Sequence, residues 1–311
     1  MSVLSVVSEE KAALIQSIRR RFDALLDTFP VALRSDFIRP YTNDDFSSPG
    51  LLSLVALPFW LGEKWDVEHQ VCQDMAVGNL FLLHCFQSFD FIMDRDRPGT
   101  SSRSQIVLGN LCYLQVVRHY RPYFPADSLF WERMEGYWQE WGESILWEVE
   151  KGETRRPFSD TFLQRAAHKA AALKICPTGL ALLSGHPDLI PDLEQAVDLM
   201  HATMQLVDDL KDWREDLEHH RYNSFLGMLA ADRRFTADQL LKPEDVATAI
   251  SDSEILQRYV ETIRDYAGRA EAVIDELGFE PWASLVRGLA EEAAWMKQRY
   301  QQWFETFLLE R

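Results

Sequence analysis

Two segments that are apolar almost all round a helix, 80–94 and 199–210, constrain this chain more than any other feature. A helix without a polar face belongs in the centre of a protein, where other helices cover every side of it. Each segment nevertheless leads into acidic side chains, namely Asp90, Asp94 and Asp96 in the first and Asp208, Asp209, Asp212, Glu215 and Asp216 in the second. The sequence therefore predicts a helical bundle whose central helices end in two acidic clusters.

The rest of the chain also follows helical periodicity, and no segment alternates as a strand would. A Pro-, Asp- and Ser-rich connector covers 30–50, and a polar loop covers 97–104. No repeat and no shift in composition marks a domain boundary. We predict one all-α domain over residues 1–311, a bundle of about a dozen helices. Its predicted helices cover 9–29, 105–121, 127–151, 158–184, 189–218, 252–277 and 280–309, with a weaker segment at 223–250.

Charge and hydropathy exclude several classes of function. With 32 Lys and Arg against 49 Asp and Glu, the net charge is −17. Such a chain is not expected to bind nucleic acid or an anionic membrane surface, since both need clustered positive charge. The longest apolar run, 51–61, is shorter than the ~20 residues of a transmembrane helix. The N-terminus lacks a signal-peptide layout, and the four cysteines lack metal-site spacing, so we expect reduced thiols and a cytoplasmic location.

The spacing of the aspartates favours a metal site. Asp90 and Asp94 share one helix face, and Asp208, Asp212 and Asp216 form a stripe at i, i+4 and i+8. Carboxylates stacked in this way repel one another, and a hard ion with oxygen ligands such as Mg²⁺ relieves that repulsion. The alternative is a solvated acidic face. It explains one DxxxD pair easily in a chain with 49 acidic residues, but it explains two such clusters on central helices less well.

The same segments resemble the aspartate motifs of the class I isoprenoid synthases, the superfamily of prenyl diphosphate synthases, squalene/phytoene synthases and terpene cyclases. Residues 89–94 look like the first motif, DDxxD, with Phe91 in place of the second aspartate. Residues 204–212 are similar to the second motif, FQxxDDxxD. Residues 212–216, followed by Arg221, also look like the DxxED of squalene/phytoene synthases, and the stripe matches the register of the terpene-cyclase triad. Residues 167–170 resemble the helix that carries a diphosphate-binding lysine, although Ala170 stands where threonine is usual.

This resemblance implies a helical fold around a central apolar cavity, a prenyl diphosphate substrate and three Mg²⁺ ions. The implied catalytic residues are Asp90, Asp94, Asp208, Asp212 and Asp216, and the implied metal ligands are these five together with Asp209. The implied diphosphate contacts are Lys169, Arg221, Arg165, Arg299 and Gln205. The implied wall of the cavity includes Phe86, Phe89, Phe91 and Trp213, and loop 97–104 is a candidate lid. Whether the protein forms a homodimer stays open.

Basic segments separate the members of this superfamily. Chain-elongating enzymes carry a GGKxxRP-type segment near the N-terminus, an RRG after the first motif and a GKxGTD-like segment after the second, and none of these occurs here. We therefore expect a class I terpene synthase that ionises a C15 or C20 prenyl diphosphate, including a bicyclic one, and then cyclises, hydrates or deprotonates the cation. The alternatives are a head-to-head squalene/phytoene-type synthase, a head-to-tail prenyltransferase and a non-catalytic helical partner subunit.

Overall fold

A computed structural model of the chain describes residues 9–34, 48–94, 102–151, 158–219, 221–231, 246, 250 and 253–309. These residues contain α-helices and short 3₁₀ helices, and no strand occurs among them. The α-helices are α1 (Glu9–Leu26), α2 (Val31–Arg34), α3 (Pro49–Lys64), α4 (His69–Asp94), α5 (Ser102–Tyr120), α6 (Leu129–Lys151), α7 (Asp160–His168), α8 (Ile175–Leu183), α9 (Ile190–Glu218), α10 (Ser224–Ala230), α11 (Ser253–Leu277) and α12 (Glu280–Leu309). The prediction of an all-α chain of about a dozen helices is confirmed.

The chain divides into two compact units. The first consists of residues 1–137 and 172–190, and the second of residues 138–171 and 191–311. The first acidic cluster therefore belongs to the first unit, and the second acidic cluster belongs to the second unit. The single domain over 1–311 stays a prediction.

Helix α4 is the core of the first unit. Helices α1, α3 and α5 pack against it, which explains why segment 80–94 has no polar face. One polar anchor lies in its middle. Asn79 donates to the Leu54 carbonyl of α3 at 2.9 Å and accepts from the Tyr120 hydroxyl of α5 at 3.0 Å. All four cysteines lie buried and free in this unit, as the sequence predicted.

By length and composition, one helix of the described residues could cross a membrane, and it is His69–Met93 within α4. Two thirds of its most apolar window, 67 %, is buried inside the protein. Burial of this extent is what the core helix of a bundle shows, and core helices pass the same length and composition test. The cytoplasmic location stays a prediction.

Helices α11 and α12 form a hairpin in the second unit. Gly278 ends α11 with φ 76°, a left-handed conformation that glycine adopts at low cost. The amide of Phe279 then donates to the Ile274 carbonyl at 3.2 Å, and α12 begins one residue later. Helix α9 packs beside this hairpin, where the indole of Trp282 donates to the Met200 sulfur at 3.1 Å.

The single helix predicted over 158–184 is wrong. Helix α7 ends at His168, a 3₁₀ helix covers Ala171–Lys174, and α8 begins at Ile175. Pro177 supplies the physical reason. In a continuous helix it would remove one main-chain hydrogen bond and clash with the preceding turn, whereas in the first turn of α8 it costs little.

Three other predicted segments are only partly described. The candidate lid 97–104 overlaps the start of α5, so residues 102–104 are helical, and residues 95–101 lie outside the described part. The predicted connector 30–50 contains α2 and the start of α3, and its residues 35–47 lie outside that part too. The weaker segment 223–250 begins with the seven-residue helix α10.

Candidate active site

The acidic stripe of α9 consists of Asp208, Asp212 and Asp216. Asp208 and Asp212 are exposed, and Asp216 is half-buried. Desolvation raises the pKa of Asp208 and that of Asp216 above the ordinary value, and the carboxylate of Asp212 adds to both increases. The stripe therefore places three carboxylates on one helix face, and their combined negative charge favours binding of a cation.

Lys211 contacts the edge of this stripe. Its Nζ lies 3.3 Å from Asp208 Oδ1 and 3.0 Å from Glu292 Oε1 of α12. The two carboxylates raise the pKa of Lys211 above its ordinary value, although desolvation opposes them. The ammonium group thus offsets part of the charge on Asp208. Sequence reasoning missed this contact because Glu292 is remote in the chain.

Asp209 points away from the stripe and into the protein, where only 4 % of the residue is exposed. Its Oδ1 accepts from Gln205 Nε2 at 2.7 Å, and its Oδ2 accepts from the Ser224 amide at 2.8 Å and from the Ser224 hydroxyl. Desolvation raises the pKa of Asp209 to about 6, against the lowering effect of these hydrogen bonds. Both carboxylate oxygens thus have protein partners, and the bonds from Ser224 join α9 to α10.

Asn223 links the start of α10 to the stripe through hydrogen bonds. Its Nδ2 donates to Asp216 Oδ2 at 2.8 Å and to the Asp209 carbonyl at 2.7 Å. Its Oδ1 caps α10 by accepting from the Leu226 amide at 3.1 Å. Both donor hydrogens of the amide and its acceptor oxygen are therefore used. One side chain orients an acidic residue of the stripe and starts the next helix.

Two tyrosines also anchor the backbone of α9 beside the stripe. The Tyr259 hydroxyl of α11 donates to the Leu206 carbonyl at 3.0 Å, and the Tyr300 hydroxyl of α12 donates to the Leu210 carbonyl at 2.9 Å. Together with Asn223, they give the 206–210 turn three hydrogen bonds from other elements. The sequence did not predict these two contacts, since a tyrosine on an amphipathic helix also fits ordinary packing.

The predicted diphosphate contacts in the second unit lie on several elements. Lys169 is the C-cap residue of α7, and Arg221 lies in the link before α10, 3.5 Å from Glu215 Oε1. The guanidinium of Arg165 lies 5.2 Å from the Trp147 ring centre, and that of Arg299 lies 5.1 Å from the Trp295 ring centre. Gln205 donates to Asp209, as described above. Their roles toward a diphosphate stay predictions.

The first acidic cluster lies at the C-terminal end of α4. Asp90 is half-buried, and Asp94 is the last residue of the helix, with a side chain outside the described part. Gly109 of α5 packs closely beside this end, because a Cβ added to it would lie 3.2 Å from the Phe89 ring and 3.4 Å from Ser88 Cβ. Asp96 lies outside the described residues.

The predicted wall residues fall into two groups. Phe86 is buried in α4, and Phe89 and Phe91 are half-buried near its end. Trp213 is buried in α9, with the guanidinium of Arg214 5.2 Å from its ring centre. This distance is that of a cation–π contact. Their role as a cavity wall stays a prediction.

The oxygen atoms of the stripe are of the donor type that magnesium prefers. Asp208, Asp212 and Asp216 present carboxylate oxygens from one helix face, and Mg²⁺ prefers one or two carboxylates with water and phosphate oxygens in its remaining positions. Asp209 contributes less readily than the sequence suggested, because Gln205 and Ser224 already bind its oxygens. The side chains that fit best are thus the three of the stripe.

Comparison with known proteins gives a relationship of fold. No family model matches the chain, and no curated protein matches it. Among solved structures, a decaprenyl diphosphate synthase from Rhodobacter capsulatus aligns with a TM-score of 0.63 and 14 % identity, over 91 % of this chain and 96 % of that chain. A geranylgeranyl pyrophosphate synthase from Lactobacillus brevis aligns with a TM-score of 0.67 and 16 % identity, over 94 % of this chain and 100 % of that chain.

These alignments cover nearly the whole of each chain, so the likeness is not limited to one group of helices. They confirm the predicted isoprenoid synthase fold. At this level of identity the comparison concerns architecture, and the chemistry has to be argued from the side chains.

Proposed function

We propose that the protein is a magnesium-dependent enzyme that ionises a prenyl diphosphate. The observation that carries this proposal is the acidic stripe of α9, which is built on the fold of prenyl diphosphate synthases. Asn223 orients one of its carboxylates, and three hydrogen bonds hold the adjoining turn. A non-catalytic partner subunit would have no need to hold three repelling carboxylates on one face.

The chain's own residues have separable roles in this proposal. Asp208, Asp212 and Asp216 hold Mg²⁺, which polarises the diphosphate oxygens when bound. Lys169, Arg165, Arg221 and Arg299 supply positive charge to the departing diphosphate. Asp90 and Asp94 supply the second set of carboxylates. The apolar side chains exclude water from the allylic cation, and no nucleophile of the protein is required.

Two reactions compete for this site. Head-to-tail prenyl transfer is our first choice, because both solved structures are named as prenyl diphosphate synthases. The terpene synthase reaction predicted from the sequence is our second choice. It is favoured by the absence of the three basic segments that serve the second diphosphate of elongating enzymes. Isopentenyl diphosphate is the discriminating reagent, since only elongation consumes it.

A product assay tests the proposal. The purified chain is incubated with Mg²⁺ and C10, C15 or C20 prenyl diphosphate, each with and without isopentenyl diphosphate, and the products are identified by mass spectrometry. A longer diphosphate formed only with isopentenyl diphosphate supports prenyl transfer. A hydrocarbon or alcohol formed from one substrate supports the terpene synthase, and a C30 or C40 product supports head-to-head condensation.

Two variants make the assay specific. Asp212→Ala removes the middle carboxylate of the stripe and is expected to abolish product. Asp188→Ala, at an exposed position outside the acidic clusters, is the matched control and is expected to retain activity. Product formation that persists in Asp212→Ala contradicts the assigned site. If no substrate turns over and Mg²⁺ with pyrophosphate fails to raise the melting temperature, the proposed enzyme function is wrong.

A further inference from the structure

Three helices of the second unit bring Glu140, His168 and Asp198 together. The Nε2 atom of His168 lies 3.0 Å from Glu140 Oε1 and 3.9 Å from Asp198 Oδ2. One ligand atom from each residue lies within 4.8 Å of the other two. The residues come from α6, α7 and α9, and none of them belongs to the acidic stripe. We call this group the His168 cluster.

The spacing of these atoms suits a shared divalent ion. Ligand atoms bound about 2.1 Å from a tetrahedral ion such as Zn²⁺ lie about 3.4 Å apart. The distances from His168 Nε2, 3.0 and 3.9 Å, lie on either side of this value. Small side-chain rotations would therefore bring the three atoms into one coordination sphere.

Hydrogen bonds support the helices that carry the cluster. The Ser144 hydroxyl, one turn after Glu140 on α6, donates to the Arg165 carbonyl, one turn before His168 on α7. The Tyr266 hydroxyl of α11 donates to Asp160 Oδ1 at 3.0 Å, at the first turn of α7. Two of the three ligands thus stand on helices that are tied together close to the ligands themselves, as a preorganised site requires.

The chemistry of the donors differs from that of the stripe. One imidazole nitrogen and two carboxylates favour a borderline ion such as Zn²⁺, whereas the oxygen-only stripe favours Mg²⁺. Two carboxylates also balance the charge of a divalent ion. The side chains of His168, Glu140 and Asp198 are 34 %, 27 % and 31 % exposed, which leaves access for an ion and for water in the remaining positions.

We propose that Glu140, His168 and Asp198 bind one Zn²⁺ ion, at a site separate from the acidic stripe. The proposal does not depend on the proposed enzyme function, since it concerns residues to which that function assigns no role. The competing account is an ion pair in which a protonated imidazole bridges two carboxylates without any metal.

Zinc binding to the full chain distinguishes the two accounts. Isothermal titration with Zn²⁺ is carried out in excess Mg²⁺, which occupies the oxygen-only sites. We expect one Zn²⁺ per chain and at least a tenfold weaker affinity in His168→Gln, which still hydrogen-bonds Glu140 but is a poorer ligand. His69→Gln, at an exposed histidine of the first unit, is the matched control and is expected to bind Zn²⁺ as the wild type does.

Equal affinity in His168→Gln and the wild type would overturn the proposal, and so would the absence of tight binding in the wild type. X-ray absorption of the wild-type zinc complex gives a test that does not depend on a variant that folds. One imidazole with oxygen neighbours is the expected first coordination shell, and a shell of oxygen atoms alone would overturn the proposal. Failure of the prenyl diphosphate assay would leave both zinc measurements unaffected.

Discussion

The second acidic cluster lies beside several hydrogen bonds between elements, and the first lies beside a close packing contact. On α9, polar groups from α10, α11 and α12 bond directly to the turn that carries the stripe, and Asn223 bonds to Asp216 itself. On α4, Asn79 bonds to α3 and α5, eleven residues or about 16 Å before Asp90 along the helix. Nearer to Asp90, the close neighbour is Gly109, which packs against Phe89.

This difference teaches where each cluster is vulnerable. The hydrogen bonds that hold the stripe are sensitive to the loss of one donor, because the buried partners of that donor are then left unsatisfied. A close packing contact such as that between Gly109 and Phe89 responds to changes of side-chain volume. Polar substitutions are therefore expected to act mainly on the stripe, and changes of side-chain size mainly on the end of α4.

The largest expected effect comes from the two clusters' own carboxylates. Asp90→Asn and Asp208→Asn should each lower Mg²⁺-dependent turnover by about 10³-fold or more, because each removes negative charge from a proposed metal ligand. Steady-state kinetics over a range of Mg²⁺ concentrations measures this, with Asp188→Asn as the matched control. Full activity in Asp90→Asn would show that only the stripe serves the metal.

The next largest effect concerns the hydrogen bonds of Asn223. Asn223→Ala removes a helix cap and two hydrogen bonds to α9, and it should lower the free energy of unfolding by about 4 kcal/mol. Asn110→Ala is the matched control, because Asn110 is exposed and donates only to the Ile106 carbonyl of its own helix. Its expected change is within about 0.5 kcal/mol. Urea denaturation measures the free energy of unfolding of both variants. Equal losses would contradict the stabilising role of the Asn223 hydrogen bonds.

The raised pKa of Asp209 predicts that the free energy of unfolding depends on pH. Its pKa is raised to about 6 from an ordinary value of 3.8, so the folded state favours the protonated carboxyl. The stability that this group contributes is complete below pH 3.8 and is lost as the pH rises through about 6. Relative to Asp209→Asn, the wild type should therefore lose up to about 3 kcal/mol across this window.

Denaturation of both proteins between pH 3.5 and 8 checks this prediction, because other titrating groups cancel in the difference. A difference that stays constant with pH would show that Asp209 titrates at its ordinary pKa in the folded chain. A difference that changes in the opposite direction would show that its hydrogen bonds outweigh its desolvation.

The smallest effect tests the packing at the end of α4. Gly136→Ala should raise the free energy of unfolding by about 1 kcal/mol, since alanine favours a helix and no atom lies within 4 Å of the new Cβ. Gly109→Ala should gain less or nothing, because its new Cβ displaces the Phe89 ring. Thermal denaturation of the two variants measures the contrast, and equal gains would mean that this end of α4 is loosely packed.

The sequence predicted the parts of the fold that local signals determine. Helix α9 was predicted over 189–218 and is Ile190–Glu218, and α12 was predicted with both of its bounds correct. The turn signals beside each helix, such as Gly278, explain this success. The break between α7 and α8 was missed although Pro177 signals it, because the apolar periodicity continues through the break.

The sequence predicted which charged residues share a face in the candidate site, but it did not predict which residues they contact. The i, i+4, i+8 spacing is enough to place Asp208, Asp212 and Asp216 on one face. The burial of Asp209 depends on Ser224, and the contacts of Lys211 depend on Glu292. Such pairs become neighbours only through tertiary packing, so no local pattern could have identified them.

The bond between Asn223 and Asp216 also limits how this sequence can diverge. It closes a loop of fixed length, because the two residues are seven positions apart and both ends are helical or cap a helix. Related chains are therefore expected to tolerate many exchanges of side chain between these positions but no insertion or deletion. An asparagine at this spacing after the last aspartate is thus a length-restricted signature by which distant relatives of this chain could be recognised in sequence collections.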